Sequence, residues 1–332
     1  MVNWQYFIGI DVASATFTAS VGQRPWQVVA KPQEFENTQD GFHAFISWLA
    51  EHKIIEKKSV ACMEATGVYG EELAYFLAAQ RIAVAVEPPL KVKRAFKPQG
   101  PKTDAVDSQQ IAEYACRFAD QLHLWQPDRE ILEQIQVLLT TREQFVRQRT
   151  AHKNALAALQ RKVVKTPAAN QAHKQIITSL GREIQTIESE IARLIDNDPD
   201  LRQKLALLLT IPGVGLLLGS HMLLLTRRSQ NPRQLAAHLG VAPHPHQSGS
   251  SVYRKTHSRH FGPSTPRKLL YLAACSVRTH HQGFATYFKR KTAEGKAPKL
   301  VLNNIQNRLL KIICAVLRDQ QPYIPNYRSV HP

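Results

Sequence analysis

Over residues 5 to about 120, short apolar runs of strand length alternate with stretches of helical spacing. Residues 7–11, 17–21 and 27–30 predict three strands, the first two joined through Ala13-Ser14-Ala15. From Thr38 to His52 the apolar positions Phe42, Phe45, Ile46 and Leu49 share one face of a helix. Residues 60–64 read as a buried strand, 71–80 as a helix and 82–86 as a strand ahead of Pro88-Pro89, and Asp104 opens a helix that runs to about Ala119. Three strands, helix, strand, helix, strand, helix describes a mixed α/β layer.

Pro127 marks a change of period. Ile131, Ile135, Leu138 and Phe145 recur at helical spacing up to a break at Lys165-Thr166-Pro167-Ala168-Ala169-Asn170. Beyond it Ile177, Leu180, Ile184, Ile187, Ile191 and Leu194 step by three and four, the a/d seam of a coiled coil, which Asp196-Asn197-Asp198-Pro199 ends. Two long helices about a turn form an antiparallel hairpin on their own domain or a coiled coil joining two subunits. Next, Ile211-Pro212-Gly213-Val214-Gly215 lies between two apolar helical runs, the signal of a helix-hairpin-helix unit, though a plain helix turn has the same pattern. Further helices are predicted from Pro266 to about Arg278 and from Leu300 to about Arg318. The expected domains are 1–125 (α/β), 126–200 (helical hairpin) and 201–325 (mainly helical).

Charge separates these parts more sharply than hydropathy does. From Leu201 onward 20 Lys and Arg are set against two acids, Glu294 and Asp319, so the chain's whole formal excess of +17 lies in its last 132 residues. A field so one-sided suits a polyanion, and nucleic acid is the expected partner rather than a merely solvated surface. No run reaches the ~18 apolar residues of a membrane span, and the richest, Leu216 to Leu225, is interrupted by Gly219, Ser220 and His221. No signal-peptide pattern precedes the first strand. Cys62, Cys116, Cys275 and Cys314 are far apart in apolar surroundings and read as reduced thiols in a cytosolic protein, not zinc ligands.

Four acids carry the candidate chemistry. Asp11 and Glu64 end predicted strands, and Asp104 and Asp107 stand i, i+3 on one helix face. Any one of them is an ordinary turn or cap residue; as a set they supply the oxygen ligands of a divalent-metal site for phosphoryl transfer, where like charges need a cation between them. A strand-end acid also opens sugar kinases, but Val12-Ala13-Ser14-Ala15 lacks the glycines of a phosphate loop. A pair of glycosidase carboxylates leaves the basic C-terminal part without a purpose. Ser248, in Ser248-Gly249-Ser250-Ser251, is expected in a loop among bases, where it is either plain loop or a nucleophile toward a phosphodiester. Lys91, Lys93, Arg94, Lys97 and Lys102 precede the acidic helix and are candidate backbone contacts or a solvated basic loop.

The motifs Ile8-Gly9-Ile10-Asp11, Glu64-Ala65-Thr66-Gly67-Val68-Tyr69, Lys102-Thr103-Asp104-Ala105-Val106-Asp107, Ile211-Pro212-Gly213-Val214-Gly215 and Ser248-Gly249-Ser250-Ser251-Val252 come in an order and spacing that resemble the DEDD transposases of bacterial insertion sequences. These are the IS-one-ten and IS-eleven-eleven group, related to the Piv DNA invertases. The resemblance covers almost the whole chain. It implies a RuvC-like (ribonuclease H-like) N-terminal domain whose Asp11, Glu64, Asp104 and Asp107 bind Mg2+; the chemistry of phosphoryl transfer suits two ions at such a site. It also implies a C-terminal transposase domain in which Ser248, rather than Ser250 or Ser251, attacks DNA to give a 5'-phosphoserine. Donor and target DNA, a structured non-coding guide (bridge) RNA, dimers pairing into tetramers and a nucleoid-associated place in the bacterial cytoplasm are implied as well. Where the group has an Arg-rich stretch before the serine, this chain has His244-Pro245-His246-Gln247, with Arg254, Lys255, Arg259, Arg267 and Lys268 downstream as the phosphate-holding candidates. The alternatives are a RuvC-like junction nuclease that uses water, and a non-catalytic nucleic-acid-binding protein.

Overall fold

The computed structural model describes residues 4–65, 67–96, 103–227, 229–248, 252–258 and 262–325, with backbone alone at 244–248 and 252–257. The chain divides into two compact units, 1–128 and 129–332. In the first, strands β1 (Tyr6–Val12), β2 (Thr16–Gln23) and β3 (Gln27–Glu36) form an antiparallel meander. Helix α1 (Gln39–Glu51) follows, then β4 (Ser59–Glu64), α2 (Glu71–Ala79), β5 (Ala83–Glu87), α3 (Pro89–Ala95), α4 (Asp104–Arg117) and the short β6 (Leu124–Trp125). The sheet order is β3-β2-β1-β4-β5-β6, with β4 parallel to β1 and β5 parallel to β4. This is the RuvC-like layer expected from the strand and helix order.

Strand alternation sorts the side chains onto two faces. Ile8, Ile10, Ala61, Met63 and Val84 pack with Phe42, Phe45 and Leu49 of α1 and Leu73 and Leu77 of α2. Phe7, Val60, Cys62 and Ala85 pack against Ile111, Tyr114 and Ala115 of α4. Between them α4 lies directly on β1: a Cβ at Gly9 would overlap the Ser108 carbonyl oxygen and the Ala112 amide nitrogen. Strand β3 runs six residues past the predicted 27–30, because Lys31-Pro32-Gln33 reads as a breaker whereas an edge strand tolerates proline.

The second unit begins with the long helices α5 (Glu130–Arg161) and α6 (Pro167–Asn197), which pack as an antiparallel hairpin tied by Arg142 Nε to Glu188 Oε1 at 2.7 Å. There follow α7 (Pro199–Leu209), α8 (Leu216–Thr226), α9 (Pro232–His238), the two-stranded ribbon β7 (Pro243–Ser248) and β8 (Val252–Ser258), and helices α10 (Ser264–His280), α11 (Gln282–Ala293) and α12 (Pro298–Asp319). Helix α12 is long and apolar enough by composition to cross a membrane, yet Leu302, Ile305, Leu309, Leu310 and Ile313 are the centre of a core shared with α7, α8 and α10. The foot of the hairpin joins that core through Leu132, Ile135, Ile191 and Ile195. Cys62, Cys116 and Cys314 are buried free thiols, and Cys275 is half-buried. Helices α3, α9 and α11 are too short or too polar to stand out in the periodicity.

Candidate active site

Each acid of the first unit owes its position to a local rule. Asp11 follows Gly9 by two residues and Glu64 follows Cys62 by two, so both stem from the α4 side of the sheet, at the C-terminal ends of adjacent parallel strands. Ser108 and Ala112 cross β1 at Gly9, while the later Tyr114 and Ala115 pack with Phe7. Helix α4 therefore runs antiparallel to β1, and its first turn, with Asp104 and Asp107, faces the Asp11 end. The Thr103 hydroxyl accepts from the Val106 amide at 3.3 Å and caps that turn, and two acids there also suit the positive end of the helix. The fold thus directs all four acids to one end and one face. Asp104 is exposed and the other three half-buried. As the side chains stand, no three His, Cys, Asp or Glu among the described residues are close enough to share an ion. Asp11 and Glu64 each already engage a partner.

A fifth acid, Glu87, went unnoticed in the sequence. It pairs in register with Glu64 at the end of β5 and is fully buried. Lys91 Nζ donates to its Oε2 at 2.9 Å, and the His123 amide donates to Oε1 at 3.2 Å. Burial works against the charge of Lys91, but Glu87 and Tyr114 outweigh it and hold the amine above the ordinary lysine range. The only available signal was an acid closing an apolar run four residues before a lysine. Lys93 and Arg94 of α3 are exposed; Lys97 and Lys102 lie outside the described residues.

In the second unit, Ser248 is the last residue of β7, paired with Val252, rather than part of a loop as expected. The run Pro243-His244-Pro245-His246-Gln247-Ser248 conceals a strand because a two-stranded ribbon needs no apolar alternation. Gly249, Ser250, Ser251 and Arg259 lie outside the described residues, as do the side chains of Ser248, Arg254 and Lys255. The foot of the ribbon, at Pro243 and Ser258, borders a cleft of about 800 Å3 that also takes in Arg147, Arg267, Lys268 and Lys299. Asn303 and Asn307 of α12 both donate to the Val241 carbonyl, at 3.0 and 3.1 Å, and so fix where the ribbon starts. Arg267 donates to the Leu239 carbonyl at 3.2 Å, and Lys268 Nζ stands 3.7 Å from Glu143. Arg147 and Lys299 escaped notice in the sequence because the cleft gathers cations from three helices far apart along the chain. In the Pro-Gly-Val-Gly turn, Gly213 has φ +81° and sits tightly against Ala273 and Val277 of α10, whereas Gly215 faces open space.

A 3-2-1-4-5 sheet with acids at one end, followed by a basic helical unit bearing a serine ribbon, defines the RuvC-like transposase class. Residues 8–164 match a transposase family of the DEDD type named for IS110, and residues 205–289 match the transposase IS116/IS110/IS902 family. The chain is 30% identical to the pilin gene-inverting proteins of Moraxella bovis and Moraxella lacunata, over 96% of its own length and 97% of theirs. It is 27% identical to the insertion element IS900 uncharacterized 42 kDa protein of Mycobacterium paratuberculosis, over 45% of this chain and 39% of that one. The chain belongs to the DEDD transposases and recombinases of the IS110/IS1111 family; it is a transposase or recombinase that acts on DNA.

Proposed function

We propose that this transposase cuts and rejoins DNA through a covalent 5'-phosphoserine at Ser248, with Mg2+ held by Asp11, Glu64, Asp104 and Asp107. The observation that carries the metal half is the convergence of β1, β4 and the first turn of α4 on one end and one face of the sheet. All four side chains offer hard oxygen donors, which suit Mg2+. Bound there, the ion supplies neutralisation of the charge that builds on phosphorus and favours the deprotonated hydroxyl. The chain's own part is to bind and orient. Cations of the cleft, Arg147, Arg267, Lys268 and Lys299, hold backbone phosphates beside the foot of the serine ribbon.

The Ser248 Oγ attacks phosphorus and loses its proton, and the O3' of the broken bond leaves as a 3'-hydroxyl. A second 3'-hydroxyl then attacks the ester, and Oγ leaves and regains a proton. One phosphodiester is exchanged for another without ATP. Two relatives are named for gene inversion, which needs strands to be rejoined as well as cut. Since Ser248 and the acids belong to different units, the reading requires one chain or two to bring them together on DNA. A structured guide RNA and a dimer that pairs into a tetramer belong to the same reading, supported by the family and by the basic excess of the last 132 residues.

The test incubates the protein with Mg2+, the RNA encoded beside its gene and end-labelled DNA, and resolves the products on a denaturing gel. A protein–DNA band that is lost in Ser248→Ala and in Asp11→Asn is expected. Cleavage that survives Ser248→Ala favours hydrolysis by a RuvC-like nuclease. Binding without cleavage favours a non-catalytic scaffold.

A further inference from the structure

A second cleft, of about 860 Å3, opens in the first unit at the same sheet end as the acids but on the opposite face. Its walls are the turn after β1 (Ser14), Asn37 ahead of α1, the Val68–Gly70 turn after β4, and the first half of α2. Val12 and Phe76, which flank it, pack into the α1/α2 core, whereas Asp11 and Glu64 stem from the α4 side. Cleft and acids thus share the loops that leave β1 and β4.

Three observations define what fits. First, Val68 and Tyr69 are 72% and 50% exposed, a large apolar and aromatic surface held in water. Second, that surface is rigidly presented: Asn37 Nδ2 donates to the Ala13 carbonyl at 3.1 Å and to the Tyr69 carbonyl at 2.9 Å, clamping the two loops together. The Asn37 Oδ1 is shut off from water beneath these loops, with no hydrogen-bond partner among the described residues. Third, the charged residues of the lining are both acids, Glu71 and Glu72, and the chain's basic excess lies beyond Leu201, outside this unit. Acids repel a phosphate backbone, yet they accept hydrogen bonds from the amino edge of a base. An aromatic face with acceptors and without cations suits a neutral, planar, amine-bearing group.

We propose that this cleft takes one unpaired nucleobase of the DNA strand being cut. Tyr69 is the stacking platform, and Glu71 or Glu72 accepts from the amino edge, which favours adenine, cytosine or guanine over thymine. With its base on one face of the sheet, the neighbouring phosphodiester crosses the strand ends toward the acids on the other. The proposal rests on the reading that DNA is cut at those acids.

The test measures binding of the full-length protein to two single-stranded probes of equal length, a mixed-sequence oligonucleotide and an abasic phosphodiester. On the base-bearing probe Tyr69→Ala should weaken binding about fivefold or more, and Tyr69→Phe should stay within about twofold of wild type. On the abasic probe all three should bind alike, since only the backbone remains. Equal loss on both probes would assign Tyr69 a structural or backbone role and overturn the proposal. So would Tyr69→Ala binding the base-bearing probe as wild type does. Binding is read without cleavage, so a protein that cuts no DNA contradicts the functional reading alone.

Discussion

Gly9 sets how closely α4 can approach β1, and so how near the Asp104 and Asp107 turn comes to Asp11. With the Ser108 carbonyl and Ala112 amide already where a Cβ would go, Gly9→Ala must push the helix off the sheet. Forced overpacking of this kind costs about 1–3 kcal/mol, so urea unfolding should begin at lower concentration, and DNA cutting should fall even where the protein remains folded. Unchanged stability would mean that α4 does not rest on β1. Asp11, Glu64, Asp104 and Asp107 were legible in the sequence because apolar runs and an i, i+3 spacing announce strand ends and helix faces. Gly9 was visible as part of a motif, but its task was not, since the backbone it touches is about a hundred residues away. Glu87 was hidden for a related reason: one of its hydrogen-bond partners, the amide of His123, comes from a later turn.

Among the elements, the α5–α8 contact has a measurable signature. His221 of α8 lies near Glu143 and Arg142 of α5, and burial pushes its imidazole down to about 4 from the ordinary 6.5, outweighing the opposing pull of Glu143. A histidine whose folded value is depressed stabilises the fold while neutral. That stability is complete above pH 6.5 and is lost as pH falls toward 4, where the unfolded chain takes up the proton first. The loss amounts to about 3 kcal/mol over that window. The unfolding free energy of wild type relative to His221→Leu should therefore be lower at pH 4.5 than at pH 7, by about 2–3 kcal/mol. A constant difference at both pH values would contradict a buried neutral His221. Long elements such as α5, α6 and α12 were readable from their period. The ribbon of β7 and β8 was not, because its polar residues carry no alternation and its two strands pair with each other.

For the whole molecule, charge is divided between the two units. The first unit carries the acids and the second carries the basic excess, a cleft rich in Arg and Lys, and the serine. The change of period at Pro127 stands next to the division between the units, whereas the charge split after Leu201 falls inside the second unit. Which cations share a cleft was not foreseeable, because Arg147, Arg267 and Lys299 come from three helices distant in sequence. The account depends on the bond energy of a cut strand being stored on the second unit. The most direct measurement traps the protein on DNA in the presence of Mg2+, digests both polymers and identifies by mass spectrometry the residue that retains the nucleotide. A 5'-phosphate remnant esterified to Ser248, absent from the Asp11→Asn protein, is the predicted result. A remnant on any other residue, or free 5'-phosphate ends with no protein attached, would contradict the account.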